Sequence, residues 1–185
     1  MKRKVRSFIL LGATLLLLIA GAVATPGEQG QESTAKKASK GLERLVRHEL
    51  IMLPYYSVFD NLEFKIEGYK VELRGQVTRP TLKSDAEAVV KRIEGVEGVV
   101  NNIEVLPVSP NDDRIRLGVY RAIYSQPVLQ KYSLRAVPPI HIIVKNGHVT
   151  LVGVVATEME KNVAEAEARG VFGSFSVTNE LRAEK

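Results

Sequence analysis

The chain contains no cysteine and no tryptophan, and only three of its 185 residues are histidine. Without cysteine there can be no disulfide, no lipid-modified cysteine anchor and no thiolate metal site. Each folded unit must therefore be held by its apolar core alone. An excess of charge of one sign is also missing once the N-terminus is set aside. Lys2, Arg3, Lys4 and Arg6 account for four of the 26 basic residues, leaving 22 against 21 acidic ones. The basic isoelectric point near 9.4 mostly describes that terminus. The remaining chain has no basic field of the kind a nucleic-acid partner requires.

What the terminus does have is an export pattern. The basic cluster is followed by an apolar stretch from Phe8 to Ala20, and Ala22-Val23-Ala24 supplies the small residues that signal peptidase reads. Residues 1–24 are read as a signal peptide cleaved near Ala24, which places the protein in the periplasm or outside the cell. An uncleaved anchor is the alternative, because apolar character continues to Ala24 at the short edge of a bilayer span. Residues 25–40 are polar, with no apolar periodicity, and are expected to form a flexible linker.

The rest of the chain is a duplication. Displaced by 78 residues without a gap, 71–103 falls on 149–181 with eleven of 33 positions identical, where chance would give about two. The identities include Val71/Val149, Leu73/Leu151, Gly75/Gly153, Lys83/Lys161, Glu87/Glu165, Gly95/Gly173 and Asn101/Asn179. Leu42, Leu45, Val46 and Leu50 mark a first helical face, stopped by Pro54. Leu62, Phe64 and Ile66, then Val71, Leu73 and Val77, alternate with polar residues as two half-buried strands. Gly68-Tyr69 and, in the second copy, Asn146-Gly147 fit two-residue hairpin turns. Helices are expected at 81–93 and 158–169, and last strands at 99–105 and 177–183. The second copy begins with a helix at 112–124, capped by Asn111 or Asp112. The expected fold is α+β: two tandem αββαβ modules, at 41–106 and 111–185, each a three-stranded mixed sheet packed against two helices. The short Pro-containing connection at 106–110 predicts that the modules touch.

Val71-Glu72-Leu73-Arg74-Gly75 together with Gly95-Val96-Glu97-Gly98-Val99-Val100-Asn101 resembles the BON domain, a bacterial module of osmotically induced periplasmic and nodulation-related proteins. Val149-Thr150-Leu151-Val152-Gly153 with Gly173 and Val177-Thr178-Asn179 resembles it less fully, since 174–176 departs from the usual Gly-Val-x-x-Val corner. The resemblance covers nearly all of 41–185. It implies a non-enzymatic envelope protein with phospholipid or protein partners, and it brings no catalytic residue.

The residues themselves offer little chemistry. His141 and His148 fall at opposite ends of one hairpin, roughly 13 Å apart at one strand rise per residue, too far to share a metal, and both are expected to face solvent. No metal, cofactor or small-molecule substrate is expected, and Gly-x-Ser-x-Gly nucleophile motifs are missing. Gly95-Val96-Glu97-Gly98 has the spacing of a phosphate-clamping GxxG loop, but Glu97 would repel phosphate, and a helix-to-strand corner accounts for it. The two copies differ more instructively in their surfaces. The second opens with Arg114, Arg116, Tyr120, Arg121 and Tyr124, a set able to meet lipid phosphates, although an ordinary solvated helix also accounts for it. Its hairpin carries Ile143, Val152 and Val154 outward, where the first carries Lys65, Arg74 and Gln76. That apolar face is expected either to pack on the first module, helped by the insertion between Pro127 and Pro139, or to receive a hydrophobic partner. The functional expectation is association with anionic phospholipid or envelope proteins through the second module. The alternative is a soluble periplasmic chaperone or osmotic-stress protein.

Overall fold

In the computed structural model, residues 28–184 are described, with side chains from Ser39 onward. The expected signal peptide therefore lies outside the described residues. The first module contains α1 (Glu28–Ile51), β1 (Asn61–Glu67), β2 (Lys70–Val77), α2 (Pro80–Lys91), β3 (Gly98–Asn101) and β4 (Glu104–Val105). The second contains α3 (Pro110–Tyr124), a 3-10 turn (Gln130–Leu134), β5 (Ile140–Lys145), β6 (His148–Val155), α4 (Glu158–Arg169) and β7 (Ser176–Ala183). The fold is α+β, two αββαβ modules in tandem. In each the hairpin is antiparallel, and the strand after the crossover helix pairs parallel with the second hairpin strand. The last strand of the first module breaks at Asn102-Ile103 into β3 and β4, both parallel to β2.

The apolar periodicity places the cores. Val71, Leu73 and Val77 on β2 meet Leu82, Ala86 and Val90 on α2 and Leu42, Val46 and Leu50 on α1. In the second module Val149, Leu151 and Val155 meet Ala164 and Ala168 on α4 and Ile115, Val119 and Ile123 on α3. Each hairpin turns on the two expected residues, with Gly68 at φ 63° in the first and Asn146 and Gly147 at 53° and 80° in the second. These are the mirror-image turns that match strand twist.

Three expectations are corrected. The linker read at 25–40 is helical from Glu28, because α1 starts there. Its Glu, Gln, Ala and Lys are good helix formers, and they extend a helix already fixed by its packed end. Leu45 is 51% exposed, because the buried stripe repeats strictly every four residues through Leu42, Val46 and Leu50. Ser109, not Asn111 or Asp112, caps α3, accepting from the Asp112 N–H at 3.2 Å with Pro110 at the first helical position. Asp112 turns inward instead and accepts the Asn146 and Gly147 N–H groups at 2.9 and 2.8 Å, clamping the second hairpin turn to α3.

Several identities of the repeat are explained by one polar device. Asn101 donates to the Lys83 carbonyl (2.9 Å) and to Glu87 (3.0 Å), and its amide oxygen accepts the Ile103 N–H (3.2 Å). Asn179 repeats all three with Lys161 (3.1 Å), Glu165 (3.0 Å) and Leu181 (3.1 Å). In both modules the last strand is thus tied to the crossover helix by one side chain. Gly75 and Gly153 solve a second shared problem. At φ 111° and 136°, a Cβ there would run into the backbone carbonyl of Asn61 or Pro139 on the neighbouring strand.

The copies diverge where Leu82 of the first core is answered by Glu160 in the second, both buried. Glu160 completes a capping box with Thr157, receives the Tyr132 hydroxyl at 2.7 Å and the Ala156 N–H at 2.9 Å, and pairs with Lys131. Tyr132 and Lys131 belong to the insertion, so this part of it seals the end of the core, while Arg135 and Val137 further along line the groove beside Val152 and Val154 on the outer sheet face. Burial pushes the Glu160 carboxyl up, but the Lys131, Tyr132 and Ala156 donors outweigh it and hold it below the ordinary carboxylate range.

A carboxylate lowered in the folded state adds stability above its unfolded pKa, about 4.3, and loses it as pH falls through the folded value. Acid denaturation of Glu160→Gln should accordingly show a shallower loss of stability below about pH 4.3 than the wild type, followed by circular dichroism. Asn101→Ala and Asn179→Ala should each destabilise by about 1–3 kcal/mol in denaturant unfolding, because each strands a buried partner and two further bonds.

Candidate functional site

The second module begins by borrowing from the first. After α1 the chain crosses the seam, and Val58 is buried in the second core rather than its own. The Ile142 N–H donates to the Val58 carbonyl at 2.8 Å, adding a short backbone contact to the β5 edge. Phe59 packs edge-on to Tyr120 at 6.2 Å, Tyr56 stacks on His141 at 5.6 Å, and Lys145 pairs with Glu104. Asp60, fully buried, anchors this segment by accepting from the Ser57 and Thr78 N–H groups and hydroxyls.

This seam settles the geometry of the apolar sheet face. Ile143 is 5% exposed, while Val152 and Val154 are half-buried. Val152 and Val154 line a groove of about 680 Å³ between the modules, whose other wall includes Arg47, Tyr56 and Phe64. His141 lies in the same seam, so the expectation that it faces solvent is corrected. Burial lowers its pKa, partly opposed by the nearby Asp60, and its Nδ1 is buried without a hydrogen-bond partner. His148 is exposed as expected and meets the Ser176 hydroxyl at 2.7 Å.

The five α3 residues separate into two groups. Arg116 is 5% exposed; it pairs with Asp113 and donates to the Val144 carbonyl at 2.7 Å, holding α3 against β5. Tyr124 is buried with its hydroxyl donating to the Ile140 carbonyl at 2.9 Å, and burial raises its pKa strongly. Neither can reach a lipid. Their places follow from helical phase, since both sit beside the inward stripe of Ile115, Val119 and Ile123. Tyr120 is half-buried between Phe59 and Tyr124. Arg114 and Arg121 are exposed, and among the described residues neither makes an ion pair. They lie seven residues apart on one ridge, about 10 Å along the axis.

One surface feature beside this ridge was not singled out from the sequence. Gly118 sits on the ridge between the two arginines, and a Cβ there would press on the Val171 side chain at 2.8 Å. Val171 opens the α4–β7 loop, where Phe172 is 100% and Phe175 75% exposed. In the 78-residue register these two stand where the first module has Glu94 and Glu97, both exposed. The backbone is alike in both loops: Gly95 and Gly173 have φ 90° and 94°. The N–H of Glu97 and of Phe175 each donates at 2.8 Å to the preceding hairpin turn, at Tyr69 and Gly147. The repeat alignment held this signal, but as two non-identical positions among many.

Among the described residues no three His, Asp or Glu side chains converge to hold a metal, and no helix is long and apolar enough to cross a membrane. What distinguishes the second module from the first lies on its surface, in a basic ridge and an aromatic loop. The architecture is that of a tandem-module protein whose copies share a core and differ outside it. The BON domain family model matches residues 42–107 and again 111–185, and the chain belongs to this family. No curated protein matches it. Among solved structures it is similar to the C-terminal domain of CdsD, a structural protein of the type III secretion system of Chlamydia trachomatis. That likeness has 12% identity and a TM-score of 0.27, covering 77% of this chain and 96% of that one. A second CdsD structure gives 13% and 0.28, covering 78% and 94%. A likeness this distant says nothing about the role of this chain.

The split within α3 is measurable by thermal unfolding. Arg116→Ala should cost about 1–3 kcal/mol, because it leaves the buried Val144 carbonyl without its donor. Arg114→Ala, at an exposed position, should stay within about 0.5 kcal/mol of the wild type.

Proposed function

We propose that this is a non-enzymatic, exported cell-envelope protein whose second module associates with anionic phospholipid at a membrane surface. The observation that carries the reading is the exposed ridge of Arg114 and Arg121, neither engaged in an ion pair among the described residues. Guanidinium groups suit phosphate because they are always charged and can donate two parallel hydrogen bonds. Membership of the BON family, whose modules occur in envelope and periplasmic proteins, supports the setting. The export pattern at 1–24 supports it from the sequence. Tyr120 contributes by bracing α3 against Phe59, and Arg116 and Tyr124 by holding that helix on its sheet. The rival idea of a soluble chaperone draws on the apolar outer sheet face, of which Ile143 is buried while Val152 and Val154 remain half-buried along the groove.

Co-sedimentation of the full chain with vesicles tests the proposal. Binding to vesicles containing phosphatidylglycerol should exceed binding to purely zwitterionic vesicles and should weaken as salt rises, since surface charges are screened over about 10 Å at 0.1 M. Each surface arginine near an anionic leaflet contributes about 1 kcal/mol. Arg114→Glu combined with Arg121→Glu should therefore lower binding at least about tenfold. Equal binding to both vesicle types, or no effect of the double reversal, would reject it.

A further inference from the structure

We infer that the α4–β7 loop of the second module is a membrane-inserting element, with Phe172 as its leading side chain and Phe175 behind it. The inference rests on the anionic-surface reading above and names what makes the contact durable.

Phe172 is fully exposed and Phe175 three-quarters exposed. Two phenyl rings in water are costly, and surface phenylalanines are normally few and scattered. Here both sit on one short loop, and the duplication supplies an internal control. The first module builds the same loop, with the same positive φ at its glycine and the same backbone bond to its hairpin turn, using Glu94 and Glu97 instead. The fold therefore does not demand aromatic residues at these positions. Carboxylates stand there in the first module, and the fully exposed Phe172 packs on nothing within the fold, so its ring answers to something outside the module.

The surroundings favour a bilayer over a protein partner. From Gly170 to Ser176 the loop carries no carboxylate. It runs beside the Arg114–Arg121 ridge, since a Cβ on Gly118 would press on Val171 and Val171 packs against the core beneath α3. Phe175 rests on Gly147 and lies 5.9 Å from the His148 ring, which fixes the base of the loop against the hairpin. Basic residues at the level of lipid phosphates, with aromatic rings entering the apolar boundary, are the arrangement of interfacial membrane-binding segments. Area argues the same way. Two phenylalanines offer on the order of 400 Å², about half of the ~800 Å² per partner in a standard protein interface. That small area suffices for rings that enter hydrocarbon.

The chain has no tryptophan, so Phe172→Trp introduces a single reporter whose signal is local to the loop. The local signal also separates it from any contribution of the apolar segment at 8–20. On adding the full chain to phosphatidylglycerol-containing vesicles, its emission should shift to the blue and be quenched by lipids brominated along their acyl chains. In parallel, Phe172→Glu with Phe175→Glu, which installs the residues of the first module, should weaken vesicle binding about tenfold or more. It should leave the far-ultraviolet circular dichroism unchanged. Salt-sensitive vesicle binding with an unshifted, unquenched indole would overturn the insertion while leaving the anionic-surface reading intact. Absence of preferential binding to anionic vesicles would overturn both. A blue shift with lipid-free envelope protein but none with vesicles would assign the loop to a protein partner and overturn the membrane assignment.

Discussion

The hydrogen bond from the Ile142 N–H to the Val58 carbonyl, and the burial of the Val58 side chain beside it, join two units that are each small for an independent core. A module of about 70 residues with no disulfide has little apolar surface to spare. This chain meets the limit by letting the segment after α1 serve both neighbours. Leu53 stays in the first core, Val58 enters the second, and Asp60 ties the segment back to Thr78 of the first sheet. Once that segment is fixed, Tyr56 must stack on His141 and Phe59 must meet Tyr120. The same placement turns the apolar outer face of the second hairpin toward the first module.

The division of labour between the copies follows from this joint. Surfaces near the seam are constrained by packing: Ile143 is buried, and Tyr120 is held between rings. The outer ridge of α3 and the α4–β7 loop are exposed instead, and there the two copies differ in character. Arg114, Arg121, Phe172 and Phe175 all lie exposed there. The cores have meanwhile been kept in register by the Asn101 and Asn179 bridges and by the two glycines that no side chain could replace.

The residues of the candidate site were only partly legible. Arg114 and Arg121 could be placed on one ridge from their seven-residue spacing. Arg116 and Tyr124 could not be assigned to the interior by composition, because a long polar side chain beside an apolar stripe is buried only where an acceptor waits. Those acceptors, the carbonyls of Val144 and Ile140, come from one strand, β5, 28 and 16 residues away. The insertion after Pro127 was expected at the outer sheet face, where Val137 does line the groove beside Val152, but its second role was not legible. That role depends on Glu160 replacing a core leucine and needing Tyr132 and Lys131 to compensate it. Phe172 and Phe175 were visible as residues but unremarkable until their exposure was known.

The sequence by itself determined the duplication, the order of elements, the hairpin turns and most of each core. Those follow from local periodicity and from backbone conformations that only particular residues adopt. Helix α1 was the exception in extent, since propagation from a packed end carried it through residues that look like a tether. The tertiary structure alone decided which polar side chains are interior, where the modules meet and which hydrophobic residues stay in water. These depend on contacts between segments far apart in the chain, and no local pattern encodes them. The duplicated αββαβ pattern was legible residue by residue; the surface that distinguishes its second copy emerged only when both copies were folded and compared.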